Sequence, residues 1–448
     1  MRKNAITRRR LLTGVAATAV TVTVLPRSVF GANEKVNVAG IGCGGKGGSD
    51  LNDAAACGAN IVALCDVDDR AGAGSFKRWP NAKRYKDMRK MLDEMDKEID
   101  AVTVSTCDHM HFSGAMCAML HGKHAFVQKP MTHNVWEAKR LAAMAREKKV
   151  ATQMGIQGHA NEGPRLLCEW LQAGLIGNVT AVHYCTDRPG GWWPQGGLKR
   201  PTDTPPVPKE LDWDLWLGAA PERPYHPCYL PIKWRGWWDF GCGALGDIGC
   251  HVMDAAFWAL NLGEPTSIEA EVPEVGPESG PKWSIITYQF PARGAMSPVK
   301  VIWHDGGKQP PRPKELEPDR KLPNETWCVL YGDKGTILHD FYCGSVRIIP
   351  EAKHKEADTG KVPKTLKRSP GGHMNEWILA CKGGEPAGAN FEYASALTTM
   401  VLLGNFAVRT GKKVEWDAKT QKTANLPEAN KWLSREPRKG WQELYKGL

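Results

Sequence analysis

The fold is decided by residues 35–47, which read KVNVAGIGCGGKG. A short apolar strand leads into glycines with G-x-G-x-x-G spacing. Glycine is needed where the chain turns tightly, where backbone approaches a pyrophosphate, and where a helix packs closely on its strand. The stretch therefore predicts a dinucleotide-binding loop whose cofactor-binding residues are Gly40, Gly42, Gly44 and Gly45.

The next apolar strand, residues 61–65, supports this interpretation because it ends on Asp66. An acid at about this spacing accepts hydrogen bonds from the adenosine ribose and repels a 2′-phosphate. Asp66 therefore favours NAD over NADP. Asp68 and Asp69 are alternatives for this role, Arg70 weakens the preference, and Asp66 is also suited to capping a helix.

Strands and helices then alternate as far as residue 154. Strands are predicted at 101–105, 124–127 and 150–154, and helices at 112–121 and 134–148. Repeated βα units imply an α/β fold with a doubly wound parallel sheet, in which ligands bind beyond the carboxyl ends of the strands.

Several polar residues follow those strand ends and are predicted to face the nicotinamide half of the cofactor. They are Thr106, His109, His111, Gln128 and Lys129.

Three further motifs carry a family resemblance. Lys129-Pro130 follows a strand, residues 246–251 read GDIGCH, a D-x-G-x-H pattern, and residues 404–413 read GNFAVRTGKK. With the glycine loop, these motifs make the chain resemble the Gfo/Idh/MocA family, named for glucose–fructose oxidoreductase and inositol dehydrogenase, over residues 34–416.

The resemblance implies an NAD-binding Rossmann domain over residues 34–155 and a substrate domain over 156–416. The second domain would be α/β with an open, mostly antiparallel sheet, and residues 417–448 would form a C-terminal tail. It also implies a homo-oligomer, a dimer or tetramer. The chain departs from the family pattern at Gln128, where glutamate is common, and at Cys107, where proline is common.

Oxidation of a secondary alcohol needs a base for the hydroxyl proton, and histidine titrates near neutral pH. His251 lies four residues after Asp247, so on a helix both side chains share one face. We predict that His251 is the general acid/base, that Asp247 orients substrate hydroxyls or assists proton transfer, and that Lys129 polarises the reacting oxygen. The alternative is a helix-capping pair.

Residues 188–241 form a Trp-rich insert with little helix or strand periodicity. Nine of the chain's 18 tryptophans fall between Trp170 and Trp258. The tryptophans could pack the insert onto the body of the protein or be buried in an oligomer interface. Alternatively, they could stack on the apolar faces of a sugar. The predicted substrate contacts are His159, Arg188, Trp192, Trp193, Trp237 and Trp238.

The net charge of +10 is concentrated at the start of the chain. Residues 1–31 hold six basic residues and no acid, with Arg8-Arg9-Arg10 before a weakly apolar run. This segment resembles a twin-arginine export signal and predicts a periplasmic or other extracytoplasmic protein. A phosphate-binding basic arm and an uncleaved membrane anchor are the alternatives.

The rest of the composition argues against other classes. No basic stripe accompanies the aromatic residues, so no nucleic-acid partner is expected. The 13 cysteines contain no C-x-x-C pair, and no metal site is predicted. No stable membrane insertion is expected after signal cleavage.

We therefore expect an exported NAD(P)-dependent oxidoreductase that acts on a hydroxyl of a sugar, polyol or glycoside. Its NAD would be tightly bound, because no nicotinamide pool exists outside the cytoplasm. Two alternatives remain: a glycosidase that works by transient oxidation, elimination and reduction, and a non-catalytic sugar-binding protein on the same fold.

Overall fold

The computed structural model describes residues 34–322 and 325–447. The predicted export signal, residues 1–31, lies outside the described residues.

The first domain is built on a six-stranded parallel sheet in the order β3-β2-β1-β4-β5-β6. The strands are β1 (Asn37–Ile41), β2 (Asn60–Cys65), β3 (Lys83–Tyr85), β4 (Ala101–Val104), β5 (His124–Gln128) and β6 (Thr152–Gly155). The central strand β4 is buried along its whole length, as expected of a sheet with helices on both faces. The predicted doubly wound parallel sheet is confirmed.

Five helices connect these strands: α1 (Lys46–Ala56), α2 (Asp69–Arg78), α3 (Met88–Glu94), α4 (Asp108–Leu120) and α5 (Val135–Lys148). The side chains of Asp68, Asp87 and Asn134 cap three of them by accepting backbone N–H groups. Helix α4 begins four residues earlier than predicted. It thereby places its N-terminal residue, Asp108, at the edge of the sheet where ligands bind.

The second domain contains a nine-stranded sheet in the order β13-β12-β11-β7-β10-β9-β8-β14-β15. Its strands are β7 (Val179–Thr186), β8 (Ser267–Glu271), β9 (Ile285–Phe290), β10 (Val299–His304), β11 (Thr326–Gly332), β12 (Thr336–Asp340), β13 (Val346–Ile349), β14 (Val414–Asp417) and β15 (Lys422–Thr423). β7 and β10 pair in parallel and the other neighbours are antiparallel, which confirms the predicted mostly antiparallel sheet.

The helices that follow the first domain are α6 (Glu162–Gln172), α7 (Trp213–Leu217), α8 (Gly243–Val252), α9 (Asp254–Ala259), α10 (Glu351–Glu356), α11 (Gly372–Cys381) and α12 (Phe391–Thr410). Helix α12 joins the two domains, because it contacts α5 and β6 of the first and α8 and β8 of the second. Among the described helices, α12 is long and apolar enough to cross a membrane, and most of it is buried inside the protein.

The Trp-rich insert folds back from the second domain onto the first. The Asp69 backbone N–H donates to the Glu210 carbonyl at 3.2 Å, and the Asp212 N–H donates to the Val67 carbonyl at 2.9 Å. Lys86 Nζ donates to the same Glu210 carbonyl at 2.7 Å. These contacts anchor the insert over the loop that follows β2.

Residues 427–445, here called the C-terminal strap, fasten the insert to the first domain. Arg438 Nε donates to the Gly218 carbonyl of the insert at 3.0 Å. Arg435 donates to the His109 carbonyl and pairs with the buried carboxylate of Glu137 at 3.2 Å. The strap therefore crosses the junction between the insert and helices α4 and α5.

We expect Arg435→Gln to lower the free energy of unfolding by about 3 kcal/mol, because it leaves the fully buried Glu137 carboxylate without its cation. Urea titration followed by tryptophan fluorescence measures the change. The matched control is Lys446→Gln, which removes a pair between two exposed side chains and should leave stability unchanged. Equal stabilities for the two variants would contradict the structural role given to the strap.

Candidate active site

A cavity of about 980 Å³ opens at the carboxyl ends of the strands of the first sheet. Its floor includes the loops after β1 and β4, which are adjacent strands with oppositely directed connections. Such a switch point in strand order is where open α/β sheets bind ligands. The Trp-rich insert forms the opposite wall.

The glycine loop packs so closely against neighbouring backbone that glycine is required at two of its positions. At Gly42, φ is +78°, and an added Cβ would lie 2.6 Å from the Ser105 carbonyl oxygen. At Gly47 an added Cβ would lie 1.9 Å from the Gly42 carbonyl oxygen, so no larger residue fits. Gly42, Gly44 and Gly45 line the cavity, whereas Gly40 packs against Leu51 of α1.

Asp66 faces this cavity at the end of β2. Its carboxylate accepts the backbone N–H groups of Cys43 at 2.8 Å and of Asp68 at 3.0 Å, and burial raises its pKa. Asp68, rather than Asp66, caps α2. The guanidinium of Arg70 is paired with Asp68 at 2.6 Å, so its charge is already balanced.

Gln128 lines the cavity and is tied to an acid that the sequence did not single out. Its Nε2 donates to Asp50 Oδ2 at 2.9 Å, and Ser105 Oγ donates to the same oxygen at 2.7 Å. Lys46 pairs with the other carboxylate oxygen of Asp50. A glutamate at position 128 would place a second carboxylate beside that of Asp50. The presence of Asp50 therefore explains why glutamine suits this position.

The two predicted histidines after β4 line the cavity, but their ring nitrogens face backbone carbonyls. His109 Nε2 lies 2.9 Å from the Trp216 carbonyl, and His111 Nδ1 lies 2.7 Å from the Pro130 carbonyl. Burial lowers the pKa of His109 to about 3 and that of His111 to about 4. Both are neutral at physiological pH and hold loops of the site together. Thr106 also lines the cavity.

Lys129 and Asp247 meet beside the cavity in a buried ion pair. Lys129 Nζ donates to Asp247 Oδ1 at 2.8 Å and to the Asp247 carbonyl at 2.6 Å. Arg235 Nε donates to the same Oδ1 at 2.9 Å. Two cations therefore share one carboxylate, and they hold the pKa of Asp247 well below its usual range although burial opposes this.

His251 lies on α8, one turn after Asp247, and lines the cavity. The helix begins at Gly243, so the i, i+4 relation holds and the pair does not cap a helix. Burial, reinforced by the charge of Lys129, lowers the pKa of His251 well below its ordinary value. Its buried Nδ1 has no hydrogen-bond partner among the described residues, which is unusual for a buried polar atom.

His159 and Arg188 do not line the cavity. His159 Nδ1 lies 3.0 Å from a carboxylate oxygen of Asp254, with its ring stacked on Trp258, and the group is buried. Arg188 pairs with Asp187 and stacks on the exposed Trp192 at 3.6 Å. Their predicted contact with substrate therefore stays a prediction that the cavity lining does not support.

The tryptophans predicted from the insert to contact substrate also lie outside the cavity lining. Trp193, Trp237 and Trp238 are buried in packing contacts and, like Trp192, do not line the cavity. Their positions fit the alternative in which tryptophans pack the insert. The aromatic residues that do line the cavity are Trp216, Tyr225, Trp234, Tyr342 and Trp441. The insert lacks periodicity, so its sequence carried no signal for which ring faces inward.

The polar cavity residues that were not predicted include Asp108, Arg235 and Tyr342. Asp108 accepts the Cys242 N–H at 2.9 Å, and burial raises its pKa to about 7. The ring of Tyr342 meets that of His251 edge-on at 5.3 Å. Arg235 lies within the run of tryptophans, which drew attention to the rings. No group of three or more described His, Cys, Asp or Glu side chains could hold a metal ion.

Comparison with known proteins agrees with this geometry. Residues 36–156 match the NAD-binding Rossmann-fold model of the Gfo/Idh/MocA oxidoreductase family, and residues 171–306 match that family's C-terminal alpha/beta domain model. The WlbA dehydrogenase from Bordetella pertussis, solved with NADH and UDP-GlcNAcA, superposes with a TM-score of 0.60 at 15% identity. The superposition covers 86% of this chain and 99% of that one.

Two curated relatives are similar over shorter stretches. Inositol 2-dehydrogenase/D-chiro-inositol 3-dehydrogenase of Lacticaseibacillus casei is 33% identical over 33% of this chain and 43% of its own length. Levoglucosan dehydrogenase of Pseudarthrobacter phenanthrenivorans is 24% identical over 53% of this chain and 52% of its own length. The chain thus spans about half the length of the curated relatives that it matches. Together with the two domain models, these similarities show that the chain belongs to the Gfo/Idh/MocA family of oxidoreductases.

Proposed function

We propose that this protein is an NAD-dependent oxidoreductase that oxidises or reduces a CH–OH group of a sugar, polyol or glycoside. One observation carries the proposal. His251 lines the same cavity as the glycine loop, next to the Lys129–Asp247 pair, and its ring forms no hydrogen bond with a described residue. The similarity to inositol and levoglucosan dehydrogenases supports the substrate class.

The residues divide the work as follows. His251 accepts the hydroxyl proton during oxidation and returns it during reduction, because its lowered pKa keeps it unprotonated at neutral pH. Lys129 stabilises the negative charge that develops on the substrate oxygen. Asp247 positions the Lys129 ammonium by accepting its hydrogen bond, and Arg235 holds Asp247 from the other side.

The cavity fits NAD. Gly42, Gly44 and Gly45 would hold the pyrophosphate and Asp66 the adenosine ribose, and NAD, when bound, supplies the hydride acceptor. Asp66 favours NAD over NADP, because a carboxylate repels a 2′-phosphate and the nearby Arg70 is already paired with Asp68.

We further propose that NAD stays bound through turnover. The insert covers the loop after β2, and the strap fastens the insert to the first domain, so the adenosine end of the cavity is roofed. Retention suits export by the twin-arginine route, in which a folded protein carries its cofactor across the membrane. A retained cofactor supports redox-neutral turnover, which includes the oxidation–elimination–reduction route to glycoside cleavage.

We expect His251→Ala to slow reduction of bound NAD by a sugar panel by about 10² to 10⁴-fold, because the hydroxyl proton loses its acceptor. Absorbance at roughly 340 nm reports reduced nicotinamide. The control is His121→Ala, which alters a surface histidine outside the cavity lining and should keep the wild-type rate. An unchanged rate in His251→Ala would refute the role of His251.

The pH profile should reflect the lowered pKa of His251. Since the neutral ring is the active base, the second-order rate constant for reduction of bound NAD should stay level as pH falls through 6.5 and decline only at lower pH. Lys129→Met removes a charge that lowers this pKa, so the acid limb should move to higher pH, with a lower plateau rate. An acid limb that does not move would show that Lys129 does not act on His251.

Purified protein should contain close to one NAD per chain by native mass spectrometry. Arg438→Gln removes hydrogen bonds between strap and insert and should speed loss of NAD during dialysis by roughly tenfold, equivalent to about 1.4 kcal/mol. Arg146→Gln, which breaks an exposed pair with Glu392, is the control. Protein that purifies empty and needs stoichiometric added NAD would exclude the retained cofactor.

A further inference from the structure

We propose that the substrate carries a carboxylate that binds Arg235, so that sugar acids such as hexuronates and aldonates are preferred to neutral sugars. The inference rests on the proposed function, since it places an acidic group of the substrate beside the hydroxyl that reacts at His251. It names a substrate class that the family alone does not specify.

The first observation is the unused half of the Arg235 guanidinium. Its Nε donates to Asp247 Oδ1 at 2.9 Å, but Nη1 and Nη2 form no hydrogen bond with any residue in the described part of the chain. The side chain lines the cavity and is 24% exposed. A guanidinium presents its N–H groups as a planar fork that matches the two oxygens of a carboxylate.

The second observation is that Arg235 is held in place without those groups. The guanidinium lies over the ring of Trp234 at 4.4 Å, and the bond to Asp247 fixes its inner edge. The side chain therefore loses little freedom when a ligand binds, which favours recognition of a small anion. The short turn Lys233–Gly236 that carries Arg235 packs against α8, the helix of Asp247 and His251.

The charge balance at this end of the cavity also favours an anion. Lys129 and Arg235 share the single carboxylate of Asp247, and Asp108, whose pKa burial raises to about 7, offsets the remaining positive charge only in part at neutral pH. Asp108 is the other acid at this end, and its buried carboxyl accepts the Cys242 N–H. Aromatic side chains, including Trp216 and Trp234, line the cavity and provide low-dielectric walls, which strengthen the attraction between Arg235 and a negative group.

The cofactor phosphates are an alternative ligand for Arg235, but the fold assigns them elsewhere. The glycine loop supplies backbone N–H groups for the pyrophosphate at the start of α1. Arg235, by contrast, pairs with Asp247, as Lys129 does, and Asp247 lies one helical turn before His251. We therefore assign its free N–H groups to the substrate.

The test uses NAD-loaded protein and matched pairs of probes, D-glucuronate with D-glucose and D-galacturonate with D-galactose. Each pair differs only at C6, so the comparison isolates the carboxylate. Because bound NAD is reduced once per chain, we compare second-order rate constants for its reduction, and we expect the value for at least one acid to exceed that of its neutral partner at least tenfold. Because Arg235→Gln also removes the bond to Asp247, both sugars should react more slowly, but the acid should lose about 30-fold more than its neutral partner, mainly through weaker binding.

Two further variants sharpen the result. Arg235→Lys keeps the positive charge but loses the fork, so it should recover only part of the affinity for the acid. Lys233→Gln removes a charge from the same turn at an exposed position outside the cavity lining and should match the wild type. Equal losses for acid and neutral sugar in Arg235→Gln, or a matching loss of NAD affinity, would overturn the inference.

Calorimetric binding of the same probes separates this inference from the proposed function. Binding of an acid that depends on Arg235, without turnover of any sugar, would support the carboxylate site and refute the oxidoreductase. Turnover of neutral sugars with no preference for acids would support the oxidoreductase and refute the carboxylate site. Absence of both binding and turnover of the acids would also refute the carboxylate site.

Discussion

The carboxylate of Asp247 is the point on which the site depends. It accepts hydrogen bonds from Lys129, which follows β5 of the Rossmann domain, and from Arg235, which belongs to the Trp-rich insert, while Asp247 itself lies on α8 of the second domain. Burying one carboxylate costs several kcal/mol, and here two cations offset that cost. The carboxylate of Asp247 therefore links three separate parts of the chain. His251, one helical turn after Asp247, lies beside this junction.

Much of this could be predicted from local sequence. The glycine loop, the alternating strands and helices and the four-residue spacing of Asp247 and His251 are set by backbone geometry, and backbone geometry repeats at fixed intervals. The hydrogen bond between Gln128 and Asp50 could not be predicted, because 78 residues separate the two and no sequence motif contains both. Arg235 was missed although only 12 residues separate it from Asp247, because tryptophans surround it in the sequence and tertiary packing sets its contact with Asp247.

The Trp-rich insert shows where sequence patterns lose information. In a helix or strand, the periodic spacing of apolar residues indicates which side chains face the core. The insert has a five-residue helix and short turns, so its rings point in directions set by neighbouring segments. Trp237 packs with Tyr229 and Trp213 stacks on Trp216, as in a small core, while Trp216 and Trp234 also form cavity wall. Composition identified the segment as important, and only the fold separated the two uses of its tryptophans.

The strap has a consequence for the order in which the protein is built. Arg435 and Arg438 follow, along the chain, every element that they fasten: helices α4 and α5 and the insert. During synthesis the Rossmann sheet and its glycine loop emerge from the ribosome first. The strap residues that fasten the insert over the cavity emerge afterwards. The residues that fasten the insert are thus among the last parts of the cavity to be synthesised, so the glycine loop can form before the cavity is closed.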